Sequence, residues 1–264
     1  MSVWLDPGAP ATRTRRPDQP AGLDRDRVTA GAVRLLDAEG AARFSMRKLA
    51  AALDVTAMSL YWYVDTKDDL LELALDAVFE GPAAHARDTR SPEPGSGGAD
   101  SCGADSASWP DDLRGLATAY REALVRHPWA PALLGRFLNI GPNAAAFARR
   151  CQDVVARSGL PPQGRTAGLA AVFQFVYGFA TVEGQFAARC AEAGVSQEEY
   201  FRRSLRTVGE RPHIADLYTD AVAAFEARGG GTPEQLRDQD FRFALDIVVA
   251  GIEAQANSAS DASS

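Results

Sequence analysis

The sequence predicts an all-α protein, with a small N-terminal helix-turn-helix unit of three to four helices and a larger C-terminal helical unit. Three observations predict it. Apolar residues recur at spacings of three and four from Leu23 onward, residues that cap helices precede these periodic runs, and no stretch alternates apolar and polar residues as a strand would.

Residues 1–22 are rich in proline and arginine without periodicity and are expected to form a disordered arm. Helix one follows. Asp24 is placed to cap it, Leu23 and Val28 stand at hydrophobic-staple spacing, and Val28, Ala32, Leu35 and Leu36 form its apolar face up to Gly40. Ser45 caps a second helix from Met46 to Leu53, Asp54 occupies the turn, and Thr56 caps a third from Ala57 to about Tyr63. A fourth begins at Thr66, with Asp69 at capping-box distance, and ends at Phe79, so the first unit spans 23–80. Residues 81–108 hold Gly, Pro, Ser, Ala and Asp with almost nothing for a core, and read as a flexible linker. Helical periodicity then returns over 111–126, 131–138, 143–158, 163–192, 197–208, 212–227 and 233–256, giving a second unit at 109–258 and a disordered tail at 259–264.

Composition narrows the function. The 264 residues are 46% hydrophobic and 24% charged, as in ordinary globular proteins, which excludes disorder throughout. The apolar run Ala167 to Val182 is short for a bilayer span, and the N-terminus lacks a signal-peptide core, so a cytoplasmic protein without membrane partners is expected. Cys102, Cys151 and Cys190 are odd in number and far apart, which argues against a disulfide framework or a zinc ribbon. His85, His127 and His213 are equally dispersed, so no metal site is expected, and His127 reads as a helix-end residue near the last carbonyls. Motifs for P-loops, dinucleotide folds, nucleophile elbows and metalloproteases are missing, so neither an enzyme nor a cofactor is expected. The net charge of −7 is uneven. Residues 13–67 carry 10 basic against 7 acidic side chains, and residues 68–264 carry 18 against 27, so the basic part is the front.

Within that front lies Phe44 to Leu71, where two short helices flank Asp54 and Val55 at helix-turn-helix spacing. Recognition helices present their N-terminal half to base edges. Here that half is Thr56, Ala57, Met58 and Ser59. Leu60 points to the core, and Tyr61, Trp62 and Tyr63, about 100° apart in sequence order, cannot all face it. At least one is therefore exposed beside Lys67 to donate to phosphate.

These residues resemble the TetR family of bacterial transcriptional regulators, in the branch of the tetracycline repressor. The likeness rests on Ser45-Met46-Arg47-Lys48-Leu49-Ala50 and Leu60-Tyr61-Trp62-Tyr63-Val64 with Lys67, close over 24–79. It continues weakly through His127-Pro128-Trp129, Gly141-Pro142-Asn143, Gly178-Phe179 and Phe241 to Asp246. The resemblance implies a homodimer that represses from a palindromic operator in double-stranded DNA and is released by a small-molecule effector. It places Arg47, Ala57, Met58 and Ser59 at bases and Ser45, Tyr61, Trp62, Tyr63 and Lys67 at the backbone, with Met46 and Thr56 in the same surface. Tyr63 replaces the branch's usual histidine, and Ala57 and Met58 replace a polar residue and a proline, so the operator sequence is not transferable. Phe137 stands where the tetracycline repressor has a metal-binding histidine. A largely apolar effector held without metal is expected, among Phe137, Phe173, Tyr177 and Phe186, with Asn139, Gln174 and Glu183 as polar anchors. The resemblance also makes 163–192 and 233–256 the dimer helices, with Ala171, Gly178, Ala244, Val248 and Gly251 at the interface. Two readings stay open beside repression: a ligand-responsive activator with the same DNA contacts, and a helical dimeric binding protein without DNA function.

Overall fold

In a computed structural model, residues 2–5, 23–88, 108–210 and 231–261 are described, and the described residues are helical with no strand. Cys102, His213, the 212–227 helix and most of the proposed arm and linker lie outside them. In order the helices are α1 (Arg25–Glu39), α2 (Met46–Ala52), α3 (Ala57–Leu60), α4 (Lys67–Val78), α5 (Glu80–Asp88) and α6 (Trp109–Arg126), then α7 (Ala130–Leu134), α8 (Pro142–Ala156), α9 (Pro162–Glu192), α10 (Gln197–Gly209) and α11 (Pro233–Asp261).

The predicted caps form. Asp24 accepts the Arg27 N–H at 2.7 Å, and Ser45 and Thr56 accept from Lys48 and Ser59. Thr66 and Asp69 make the reciprocal capping box. Such caps satisfy N–H groups that have no partner inside the helix. α1 ends at Gly40, whose φ of 76° is left-handed and free of Cβ strain in glycine alone. Val28, Ala32 and Leu36 then bury against Leu49, Leu60, Leu70 and Ala74, closing a core for α1 to α4. In the C-terminal body α6 packs along α9, with α8 and α11 on its flanks and α10 against α9 and α11.

Several boundaries differ from the sequence reading. The expected linker begins with α5, which packs on α6 and α8; Ala83 is fully buried there, so small side chains suffice where helices approach closely. Ser108, placed in the linker, caps α6 by accepting the Asp111 N–H. The start of the expected disordered arm is docked. Ser2 Oγ and the Val3 N–H both donate to Glu72 on α4, and Val3 is buried. α11 continues to Asp261, through the first residues of the expected tail. α9, at 31 residues, is long and apolar enough to cross a membrane by length and composition, contrary to the shorter run read from sequence. Here it packs against α6, α8, α10 and α11 and carries Glu183 buried at an ion pair.

Candidate nucleic-acid interface and its coupling to the C-terminal helices

The helix-turn-helix is built from α2, a tight turn and α3. Leu53 and Val55 N–H groups return to Leu49 and Ala50 carbonyls, and Asp54 between them takes a φ of 55°. Asp and Asn tolerate that left-handed conformation better than other residues with a Cβ. α3 has four residues, and the Tyr61, Trp62 and Tyr63 N–H groups then bond three residues back, to Met58, Ser59 and Leu60. The recognition element is therefore shorter than the expected 57–63, and its end tightens to 3₁₀ geometry.

The predicted residues divide. Arg47 and Thr56 are exposed, Met58 is 70% exposed and Tyr61 42% exposed. Ser45, Ala57, Ser59 and Trp62 are half-buried beside them, and the Thr56 and Ser59 hydroxyls are 2.8 Å apart. Two predicted contacts are corrected. Met46 is buried in the core as the first inward residue of α2, and Tyr63 is buried with its hydroxyl donating to the Leu23 carbonyl at 2.8 Å, which ties α3 to the start of α1. Lys67 is half-committed: its ammonium donates to the Phe44 carbonyl at 2.9 Å and lies 5.5 Å from the Phe44 ring centroid. An ammonium has three donors, so two remain for a phosphate. Lys48, one residue past Arg47, pairs with Glu39.

Three acids join these helices to the C-terminal body. Asp37 on α1 accepts from His127 Nδ1 and Trp129 Nε1, each at 2.7 Å. His127 is thus a helix-end residue, as expected, but its ring serves α1 rather than a carbonyl. Asp68 on α4 meets Arg136 at 3.3 Å. Asp76, buried on α4, accepts the Ala144 N–H at 2.9 Å, the Asn143 N–H at 3.3 Å and Asn143 Nδ2 at 3.2 Å, so it caps α8 from another helix. Burial raises its pKa above the ordinary carboxylate value against the lowering effect of those hydrogen bonds. Gly141 permits the approach, since a Cβ there would lie 2.3 Å from Asp76 Cγ.

Of the expected effector residues, Glu183 lines the cavity beside Arg121, and the others stand in other surroundings. Phe173 joins Phe79, Tyr120 and Phe147 in a packed aromatic cluster with centroids 5.5 to 5.9 Å apart. Tyr177 donates its hydroxyl to the Pro131 carbonyl, Phe186 packs on Tyr200, Phe137 lies under Arg136, Asn139 is half-buried, and Gln174 is exposed. Glu183 is the exception. It accepts both Nε and Nη2 of buried Arg121 at 2.8 Å, while Asp238 takes a further Arg121 N–H at 2.7 Å. Burial opposes the arginine's charge, but these carboxylates outweigh it and hold its pKa above the ordinary value. The guanidinium lies 4.5 Å from the Phe241 centroid, at the wall of a cavity of about 400 Å³ between α6, α9 and α11. Its lining includes Arg121, Glu122, Arg126, Glu183, Asp238 and Arg242, so it is more polar than the apolar pocket expected. The sequence held no signal for Arg121 or Asp238 as partners, because they come from separate helices. No group of metal-ligating side chains occurs among the described residues.

On the outer faces of α9 and α11, Ala171, Gly178 and Gly251 are exposed and Ala244 and Val248 are half-buried. Val182, Phe243 and Ile247 beside them are 60 to 71% exposed. A Cβ at Gly178 or Gly251 would meet nothing within 4 Å.

The family model for bacterial regulatory proteins of the tetR family matches residues 28–74, and that for the tetracyclin repressor-like C-terminal domain matches 103–256. An HTH-type transcriptional regulator of Saccharopolyspora erythraea is 35% identical over 256 residues, 94% of each chain. The HTH-type transcriptional repressor DrrR1 of Streptomyces coeruleorubidus is 28% identical over 83% of this chain and 76% of its own length. Among solved structures, ActR of Streptomyces coelicolor in complex with actinorhodin has a similar fold, with a TM-score of 0.62 at 24% identity, covering 89% of this chain and 99% of that one.

Proposed function

Because the chain belongs to the TetR family of DNA-binding transcriptional regulators, which are not enzymes, we propose that it represses from an inverted-repeat operator as a homodimer and releases it when a small molecule binds the C-terminal helices. The domain map is then a reader at 23–80 and an effector and dimerisation unit at 109–258, with α5 as part of the joint. The observation that carries the reading is the α2–α3 surface, where Arg47, Met58 and Tyr61 project from a closed core. Arg47 has the fork geometry for guanine, Ala57, Met58 and Ser59 face base edges, and Ser45, Thr56, Tyr61, Trp62 and Lys67 serve the backbone.

Repression is supported by the relative named a repressor, and effector release by the fold neighbour that carries a bound small molecule. The polar cavity beside Arg121 is the proposed effector site, in place of the scattered aromatic set. The apolar stripe of α9 and α11, with Ala171, Gly178, Ala244, Val248 and Gly251 between Val182 and Ile247, is the proposed dimer face. Exposed apolar surface of that extent on long helices favours burial against a copy.

Selection from random duplexes at moderate salt tests the reading. An enriched inverted repeat, bound by a dimer with affinity that falls steeply with salt as counterions are released, is the expected result. Enrichment of no motif overturns it.

A further inference from the structure

The most exposed large apolar side chain of the α2–α3 surface is Met58, at the second position of α3. It is not there for the core: Leu60 takes the inward place and is fully buried. Its thioether sulfur is a weak acceptor and no donor, so it reads no hydrogen-bond pattern. Its neighbours share that poverty. Ala57 offers a methyl group, and the Thr56 and Ser59 hydroxyls lie 2.8 Å apart, so one hydroxyl proton is spent between them. The middle of the recognition surface is therefore apolar, in a position that the proposed function sets against the major groove. The major groove of unmodified DNA displays one apolar group on its base edges, the C5-methyl of thymine.

Resting on the DNA-reading assignment above, we propose that Met58 is a specificity-determining residue that packs on a thymine methyl, so that each operator half-site carries a required thymine opposite it. Met58 is unbranched and flexible enough to reach a methyl without a fixed helix docking angle. Arg47, from α2, then supplies the hydrogen-bonded part of the readout.

Deoxyuridine tests this, because it removes the methyl and leaves pairing, phosphates and hydrogen-bonding edges unchanged. Thymines of the selected operator are replaced one position at a time, in both half-sites together, and dissociation constants are measured at fixed salt for the wild-type protein and for Met58→Ala. One position is expected to lose about tenfold on paired replacement, from roughly threefold for each methyl withdrawn from apolar contact. In Met58→Ala that position is expected to lose less than twofold, and Met58→Leu restores most of the penalty. Since Met58 is solvent-exposed, both variants keep the wild-type circular dichroism. Uniform tolerance of uracil by the wild-type protein, a penalty that persists in Met58→Ala, or a half-site without thymine overturns the proposal. Failure of the DNA-reading assignment itself appears earlier, as the absence of any selected operator.

Discussion

Asp76→Ala is the substitution whose cost follows most directly from the structure. The side chain is buried on α4 and accepts three hydrogen bonds from the first turn of α8, two of them from backbone N–H groups that no α8 carbonyl can reach. Removing the carboxylate orphans donors at a buried helix terminus, each worth about 1 to 3 kcal/mol, while the penalty for burying the charge is recovered. The balance predicts a loss of about 2 to 4 kcal/mol in urea unfolding at fixed protein concentration, with circular dichroism as the signal. The pH dependence has a definite sign. Burial holds the folded-state pKa above that of the unfolded chain, so the folded state keeps the proton longer. This group's contribution to stability therefore declines as pH rises from the ordinary carboxylate range to the folded-state value, and is level above it. Asp76→Asn keeps the shape and one acceptor but has no proton to release, so the wild-type minus Asp76→Asn difference should fall with pH over that window. A loss below about 0.5 kcal/mol for Asp76→Ala, within the range of ordinary surface changes, or a difference that rises with pH, refutes the reasoning.

Glu183→Ala leaves the buried Arg121 with only the half-exposed Asp238 and should destabilise by about 3 kcal/mol or more in the same unfolding assay, whereas Arg202→Ala, in an exposed α10 pair, should cost under about 1 kcal/mol. Ile247→Asp places a charge in the proposed dimer face and should give a monomer by sedimentation with helicity retained. Cys151 is buried with its thiol pKa pushed up to about 12 by desolvation, so a thiol reagent at neutral pH should leave it unmodified until denaturant is added.

What was legible in the sequence was local. Asp24, Ser45, Thr56 and Thr66 act within three residues of themselves, so helix starts could be read from capping rules, and Asp54 could be placed in the turn because its backbone preference is its own. The exposed aromatic was also legible, since 100° steps force Tyr61, Trp62 and Tyr63 apart; which of them turns inward was not, because that depends on the Leu23 carbonyl 40 positions away. The same limit explains the rest. α5 looks like linker by composition and becomes a helix through its packing on α6 and α8. Phe173 has the apolarity of a pocket wall and the neighbours of a core.

In the proposed function, the distant contacts missed in sequence are also the ones on which an effector would act. A ligand changes operator affinity only by binding one arrangement of the reader and effector helices better than the other. The described contacts that join the reader helices to the C-terminal body include Asp37 with His127 and Trp129, Asp68 with Arg136, and Asp76 with the start of α8. They differ in strength. The Asp68 pair is exposed and weak, the Asp37 pair uses a buried indole N–H, and the Asp76 cap is buried throughout. The buried Asp76 cap makes the α4–α8 joint the firmer contact, and the His127–Trp129 corner is where α1 meets the C-terminal body. His127, the C-cap of α6, lies six residues after Arg121, so on the proposed reading a ligand that draws Arg121 away from Asp238 would act beside the α6 end whose His127 bonds Asp37.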